Sequence, residues 1–339
     1  MARIITYSHT GKQLAEFNAL VTMSWKLNEY GKATWTMSTR DEKCKREYIE
    51  FGNRVMIETD KLPVWVGVID TPREWASNGE VSITAYTAEY LLTWRRAPVD
   101  KKISGTCGAK FEELIKIAQA GGNMFLRVGE VWGAGKAVAE TLKSESIYDA
   151  IKDLTDRMGN DWNVTPEIVN GELRFTANLY KRRGNVRDVV LQDGYNIKAS
   201  SKVFIEQGNI ANDIIVVGVG ASSGSQKTAN TIDEESIGLY DYRQATVNLP
   251  SEYEGTLSAG ADQQLFELKQ PRRTFDVSAL DVGDLWQNLQ VGDIYTINLG
   301  NVGFVSGGYG LQTNVRIIGM EYAEEACAVR LISDESRDE

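Results

Sequence analysis

Apolar and polar residues alternate with a period of two over much of this chain, and the alternation is broken into blocks by turn residues. In the first block Val21, Met23, Trp25 and Leu27 alternate with Thr22, Ser24 and Lys26. After Asn28-Glu29-Tyr30-Gly31-Lys32, Ala33, Trp35 and Met37 alternate with Thr34, Thr36 and Ser38. Successive strand side chains point to opposite faces, so this spacing predicts a hairpin with one face in a core. Arg54 to Thr59 and Val64 to Asp70 predict a second hairpin, and Val81 to Tyr86 a further strand. Gly67, inside a strand, marks a bend or a close approach of another backbone. Short strands at regular spacing with turn signals between them predict a small sandwich or barrel.

Near Ala97 the period changes. Phe111, Leu114, Ile115 and Ala118 recur at helical spacing and stop at Gly121-Gly122. Ser146 is placed as an N-cap with Asp149 as its capping-box partner, and Ile147, Ala150, Ile151, Leu154 and Met158 form one stripe ending at Gly159. Asn170-Gly171 predicts a tight hairpin turn before the alternating Leu173, Phe175, Ala177 and Leu179. The middle of the chain is therefore α+β.

From Leu191 to Gly220 the chain returns to β patterns, with the apolar run Ile214 to Val217 predicting a fully buried strand. Leu257 to Lys269 predicts a helix interrupted by Gly260. Strands are predicted at Asp293–Leu299, Val315–Glu321 and Cys327–Ile332, and the polar end after Ser333 is expected to fray. Two stretches resemble each other. Gly52-Asn53-Arg54-Val55-Met56-Ile57 leads to a strand containing Gly67, and Gly292-Asp293-Ile294-Tyr295-Thr296-Ile297 leads to one containing Gly319. The match hints that the two β-rich ends are copies of one barrel.

Composition narrows the function classes. A content of 42% hydrophobic and 25% charged residues is that of a globular chain, and 339 residues suffice for two or three domains. The net charge of −10 argues against a general nucleic-acid binder, which needs basic surface to displace counterions. Cys44, Cys107 and Cys327 are scattered without a Cys-x-x-Cys pair, so neither a disulfide framework nor a zinc site is expected, and folding in a reducing compartment is. No secretory signal is visible at the start, and no apolar run reaches membrane-spanning length.

The candidates for chemistry fail one by one. Gly218-Val219-Gly220-Ala221-Ser222-Ser223-Gly224 follows an apolar strand, but Ser223 stands where a dinucleotide loop needs Gly, and no helical stripe follows. Gly133-Ala134-Gly135-Lys136-Ala137 lacks the Ser or Thr that holds magnesium in a phosphate-binding loop. His9 is the only histidine, in a turn, too little for a metal site or a triad. Asp149, Asp153 and Asp156 share a helix face and read as solvated partners of Lys152 and Arg157. Lys181-Arg182-Arg183 and Arg272-Arg273 read as turn ends or subunit-contact charges. Trp25, Trp35, Trp65, Trp75 and Trp94 read as core or interface. No catalytic, cofactor-binding or metal-ligating residue is expected, and the chain is not expected to be an enzyme.

The order of these features resembles the tail hub proteins of tailed bacteriophages, the baseplate hub family related to the N-terminal part of tail-associated lysins. The resemblance is carried by Trp25-Lys26-Leu27-Asn28 with Gly31, Phe51-Gly52, and Val64 to Ile69. It continues through the Ser146 helix with Trp162-Asn163-Val164, Gly194-Tyr195-Asn196-Ile197, Asn212 to Gly220 and Ser236 to Tyr240. Gly292-Asp293 and Val315 to Gly319 complete it. It implies an α+β, mainly β chain with two related small antiparallel β-barrel domains flanking an α+β middle domain. Residues 1–97 would form the first barrel and residues 98–204 with 224–275 the middle domain. The second barrel would comprise 205–223 with 276–333, and 334–339 a charged tail. The resemblance further implies a homotrimeric structural virion protein at the tail tip, assembled in the host cytoplasm. Its three copies would bring six barrels into a pseudo-sixfold ring that closes the tail tube and adapts it to a threefold tip. Its implied partners are a distal tail protein or the tail tube, the tape measure protein, and a tail fibre or spike, with DNA passing through unbound. No peptidase, lysozyme or fibre domain would be attached, and no cofactor or membrane insertion is implied. The alternative is a carbohydrate- or receptor-binding β-module built on the aromatics of the first unit.

Overall fold

The computed structural model describes the chain except for residues 123, 125, 136, 199–203, 219–225, 250–253, 301, 303–309 and 337–339. Its first unit comprises β1 (Ala2–Tyr7), β2 (Gln13–Ala19), β3 (Val21–Lys26), β4 (Lys32–Ser38), α1 (Arg46–Ile49), β5 (Arg54–Glu58), β6 (Trp65–Ala76) and β7 (Glu80–Thr87). The strands pair in the order β2-β1-β5-β6-β7-β4-β3, antiparallel throughout. Val21 and Met23, with Ala33, Trp35 and Met37, turn inward as their alternation predicts. Gly67 is a point of close approach: a Cβ there would lie 2.0 Å from the Tyr86 carbonyl oxygen on β7.

The middle of the chain holds a 3₁₀ turn (Ala88–Trp94), β8 (Lys102–Gly105), α2 (Cys107–Ala120), β9 (Leu126–Val131), β10 (Val138–Thr141), α3 (Ile147–Met158), β11 (Asp161–Val169) and β12 (Glu172–Tyr180). The Ser146 hydroxyl accepts from the Asp149 amide at 3.0 Å and lies 2.6 Å from Asp149 Oδ2, the expected cap. Gly159 ends α3 in the left-handed conformation. The β11–β12 hairpin turns on Asn170 and Gly171, both with positive φ, which matches strand twist in a two-residue turn.

The second β-rich unit contains β13 (Val186–Gln192), β14 (Ile197–Lys198) and β15 (Phe204–Gln207). After an excursion through β16 (Asp213–Val217), β17 (Thr228–Ile232), α4 (Glu234–Tyr240), β18 (Gln244–Asn248) and α5 (Glu254–Leu268), the chain returns to it. It then adds β19 (Arg272–Ala279), α6 (Leu285–Asn288), β20 (Ile294–Leu299), β21 (Leu311–Ala323) and β22 (Ala328–Glu335). The fold is mainly β, as expected. The hydrogen-bonded path runs openly from β14 through β19, β22, β21, β3 and β4 to β2, so both units belong to one continuous sheet.

Three expectations are corrected. Ile214 to Val217, expected to be fully buried, buries only Ile214 and Val216 while Ile215 and Val217 are half-buried, and it lies outside the second β unit. β16 pairs with β17 and, in parallel, with β18, and α5 covers it with Leu257 and Ala261 against Ile214 and Val216. A continuous apolar run announces burial on both faces, yet here the face carrying Ile215 and Val217 stays half-buried, and the run does not tell which sheet supplies its partners. Second, β13 pairs in parallel with β20, so the second sheet recruits Val186–Gln192 from the stretch expected in the middle domain. Third, the expected frayed end is a strand as far as Glu335, because it pairs with β19 on one edge and β21 on the other, with Arg272 and Arg273 bound to Asp334 and Glu335; residues 337–339 lie outside the described residues.

Alternation also explains how the units adhere. Ile4, Trp65 and Ile69 face a core shared with Phe275, Tyr295 and Leu331 of the second unit. Their neighbours Ile5, Val66 and Val68 face Phe111, Ile151, Trp162 and Phe175 of the middle domain. Burying each such side chain contributes roughly 1.5–3 kcal/mol, so the first unit is a two-sided wall between two cores.

Candidate assembly surface

The two β units repeat one another strand by strand. In the first, β4, α1, β5, β6 and β7 follow in sequence and pair as β4-β7-β6-β5; in the second, β19, α6, β20, β21 and β22 pair as β19-β22-β21-β20. Corresponding backbone bonds match. Gly52 N–H donates to Ile69 O at 2.9 Å, Asn53 N–H to Glu50 O at 3.1 Å and Ile69 N–H to Asn53 O at 2.9 Å. In the second unit Gly292 N–H donates to Ile317 O at 2.7 Å, Asp293 N–H to Gln290 O at 3.2 Å and Ile317 N–H to Asp293 O at 2.9 Å. Gly52 and Gly292 both have positive φ, a conformation nearly closed to residues with a Cβ. Ile69 therefore corresponds to Ile317. Gly67 and Gly319, aligned with each other in the sequence comparison, are not equivalent: counting back from the isoleucines, Gly67 corresponds to Val315.

A strand seam joins the copies. Gly319 to Ala323 of β21 pairs antiparallel with Lys26 to Thr22 of β3, placing Tyr322 opposite Met23. Met320, Tyr322 and Met23 are all buried there. The Trp65 indole N–H reaches across the adjoining strands to the Ser24 carbonyl at 3.0 Å.

A polar junction locks the seam to the middle domain. Asn28, at the tip of the first hairpin with φ of 58°, donates to Asp161 Oδ1 at 3.0 Å and accepts from the Trp162 amide at 2.9 Å. Asp161 Oδ2 accepts from the Arg183 amide at 2.6 Å and from the Arg316 guanidinium. Arg316 in turn donates to the Gly292 and Arg183 carbonyls. One residue from each of three regions meets here, with Asp161 and Arg316 both largely buried. Inside the middle domain, Glu140 bridges the fully buried Lys110 at 3.0 Å and Arg157 at 2.5 Å. Burial alone would raise the Glu140 carboxyl, but Arg157 and Lys110 hold it below its usual range.

The candidates for chemistry resolve into structure. His9 is exposed in its turn. Asp149 completes a helix cap, while Asp153 and Asp156 pair with Arg157 and Lys152. Arg273 binds Glu206 as well as Glu335. Val219 to Ser225 and Lys136 lie outside the described residues, so the Gly218 to Gly224 and Gly133 to Ala137 loops receive no structural account. Among the described residues, no group of three or more His, Cys, Asp and Glu is placed to hold a metal, and no helix is long and apolar enough to cross a membrane. Cys107 is buried, which pushes its thiol up to about 12.

Trp35 and Trp65 lie in the core, whereas Trp94 and above all Trp75 are exposed. The aromatics therefore form no single platform. What does form is a cluster the sequence reading missed: Tyr30, Tyr86, Tyr90 and Tyr148, with Tyr86 and Tyr90 stacked at 4.5 Å and Trp94 edge-on to Tyr90. The four-residue spacing of Tyr86, Tyr90 and Trp94 was its sequence signal. Beside it a cleft of about 240 Å³ opens between the units, lined by Trp25, Val66, Glu89, Val164 and Arg183 among others. Glu89 accepts from the Val164 amide at 2.9 Å while its second oxygen has no hydrogen-bond partner among the described residues, and burial raises its carboxyl above the usual range.

Neither a family model nor a curated protein matches this sequence. Solved structures do match. The prophage tail protein gp18 of Listeria monocytogenes EGD-e aligns with a TM-score of 0.64 at 13% identity, over 99% of this chain and 95% of that one. The tail protein of prophage MuSo2 from Shewanella oneidensis aligns with a TM-score of 0.61 at 13% identity, over 98% of each chain. A tail protein of Neisseria meningitidis MC58 aligns with a TM-score of 0.60 at 14% identity, over 99% of this chain and 97% of that one. The chain has the fold of these tail proteins nearly end to end.

Proposed function

We propose that this chain is a non-enzymatic structural subunit of a phage tail: a homotrimeric hub whose three copies set six β units in a ring at the tail tip. The observation that carries this reading is the duplicated unit, joined to its copy by a strand seam within one chain. A chain holding two like units is a device for matching symmetries. Three copies offer six near-equivalent units to a sixfold tube and three identical surfaces to a threefold tip. The fold shared with prophage tail proteins supports the tail setting.

In this role the ring closes the tube and anchors the adhesion apparatus. Its neighbours are the tail tube or a distal tail protein above, a fibre or spike below, and the tape measure protein within, in a particle assembled in the host cytoplasm. DNA passes without being held, and the net charge of −10 suits a channel that repels a polyanion. The middle domain braces the ring through the Asn28–Asp161–Arg316 junction. Light scattering of the purified chain, with class averages of stained particles, tests the reading: a threefold ring with six lobes supports it, and a chain that stays monomeric at high concentration overturns it.

A further inference from the structure

In the second unit the outer edge of β21 beyond β20 is covered by β3, but the matching edge in the first unit is bare. Residue equivalence follows from pairing. Ile69 and Ile317 lie opposite Ala85 and Ser333, so Ile83 and Leu331, two residues earlier, correspond, and so do their partners Arg73 and Met320. Arg73-Glu74-Trp75-Ala76 is thus the counterpart of Met320-Glu321-Tyr322-Ala323, and the second, third and fourth positions are identical or alike. Tyr322 is 9% exposed under β3, whereas Trp75 is 65% exposed. Among the described residues only β5 and β7 pair with β6, and β5 does not reach Arg73–Ala76.

The same counting identifies what replaces β3. Ala85 pairs with Ala33 on β4, and Ala33 with Met23 on β3. Ser333 pairs with Phe275 on β19, and Phe275 with Phe204 on β15. β15 therefore stands to the second unit as β3 stands to the first, and β19 is its one partner among the described residues. Its Ile205 is exposed. Among the described residues, two complementary edges at opposite ends of the duplicated sheet have no strand partner. An unblocked edge bearing an exposed tryptophan is a template for another strand.

We propose that Arg73–Trp75 of one copy pairs antiparallel with Phe204–Glu206 of a second copy, repeating between chains the β21–β3 seam made within each. Transfer of the seam's register sets Trp75 opposite Phe204, Glu74 opposite Ile205 and Arg73 opposite Glu206. The last pair sets opposite charges across the joint, a favourable cross-strand arrangement in which Arg73, now bonded to the Ile49 carbonyl, would share Glu206 with Arg273. Because each chain offers one edge of each kind, the contact is head-to-tail and closes only as a ring. The number of copies rests on the trimeric hub reading, but the joint itself does not.

Opposed residues on antiparallel strands lie within disulfide range, and diagonal ones do not. Full-length chains carrying Glu74→Cys with Ile205→Cys, or Glu74→Cys with Gln207→Cys as the diagonal control, are oxidised and run without reductant beside the unaltered chain. The expected result is a reductant-sensitive covalent trimer from the first pair alone. A trimer by light scattering with no more cross-linking than the control overturns the joint and leaves the hub reading standing. A monomer overturns both. Cross-linked open polymers support the joint and overturn the threefold closure. Trp75→Glu, at an exposed position, is expected to convert trimer to monomer with an unchanged circular dichroism spectrum and the melting point of the unaltered chain diluted to monomer; a trimer unaffected by it also overturns the joint.

Discussion

The two β units share an order of strands, a helical turn and three backbone hydrogen bonds, yet they sit in different surroundings. The first is walled in on both faces, open at the edge of β6, and carries the antiparallel β1 beside β5; the second is covered at the edge of β21 and carries the parallel β13 beside β20. Equivalent positions therefore have unequal consequences. The backbone repeats because turns and strand pairing are local. The side chains diverge because each copy meets different neighbours.

The sharpest way to break the comparison is at the junction holding the copies and the middle domain in register. Asp161→Ala leaves Arg316 largely buried without its carboxylate, and a loss of about 3–5 kcal/mol is expected on denaturant unfolding. Next comes the matched pair Tyr322 and Trp75. Tyr322→Ala opens a hole in the seam and is expected to lower stability by about 3 kcal/mol. Trp75→Ala in the monomeric chain is expected to change it by less than about 0.5 kcal/mol. Equal losses would refute the assignment of one edge as covered and the other as bare.

The equivalent glycines come third. Gly52→Ala meets open space and bears only the strain of positive φ, about 1 kcal/mol. Gly292→Ala also brings a Cβ to 2.9 Å from the Arg183 carbonyl oxygen, so it is expected to cost at least about 2 kcal/mol by thermal melting.

The smallest effect concerns Glu89 between the first unit and the middle domain. Its carboxyl is raised by burial, so the folded state holds its proton more tightly than the unfolded chain does. Its contribution is fully favourable below the usual carboxylate range and is lost as pH rises through the raised value. Glu89→Gln is expected to raise the melting temperature at pH 8 and leave it unchanged at pH 4. A shift of equal size at both pH values would mean that the carboxyl is not what matters.

Much of this molecule was legible along the chain. Alternation located the hairpins on Val21 to Met37 because one buried face forces a period of two, and helical spacing with Ser146 located α3. The Gly52 and Gly292 stretches disclosed the duplication because both turns need left-handed backbone. Other features were illegible for equally physical reasons. Ile214 to Val217 announced burial, but strand partners lie far along the chain and only packing chose β17 and β18 over the second unit. Gly67 and Gly319 looked alike in sequence and proved unequal in register, since pairing and not residue identity sets equivalence.

Alternation and turn residues along the chain were enough to mark most inward-facing positions, the places where strands turn, the mainly β character, and the repeat of one unit. Each of these depends on interactions among residues a few positions apart. Packing between distant segments set the rest: β21 closes on β3, Asp161 gathers Asn28 and Arg316, and Trp75 is left in the open while Tyr322 is covered. Those outcomes depend on which distant edge completes each strand's hydrogen bonds, and an edge carries no mark of its partner until the sheet is assembled.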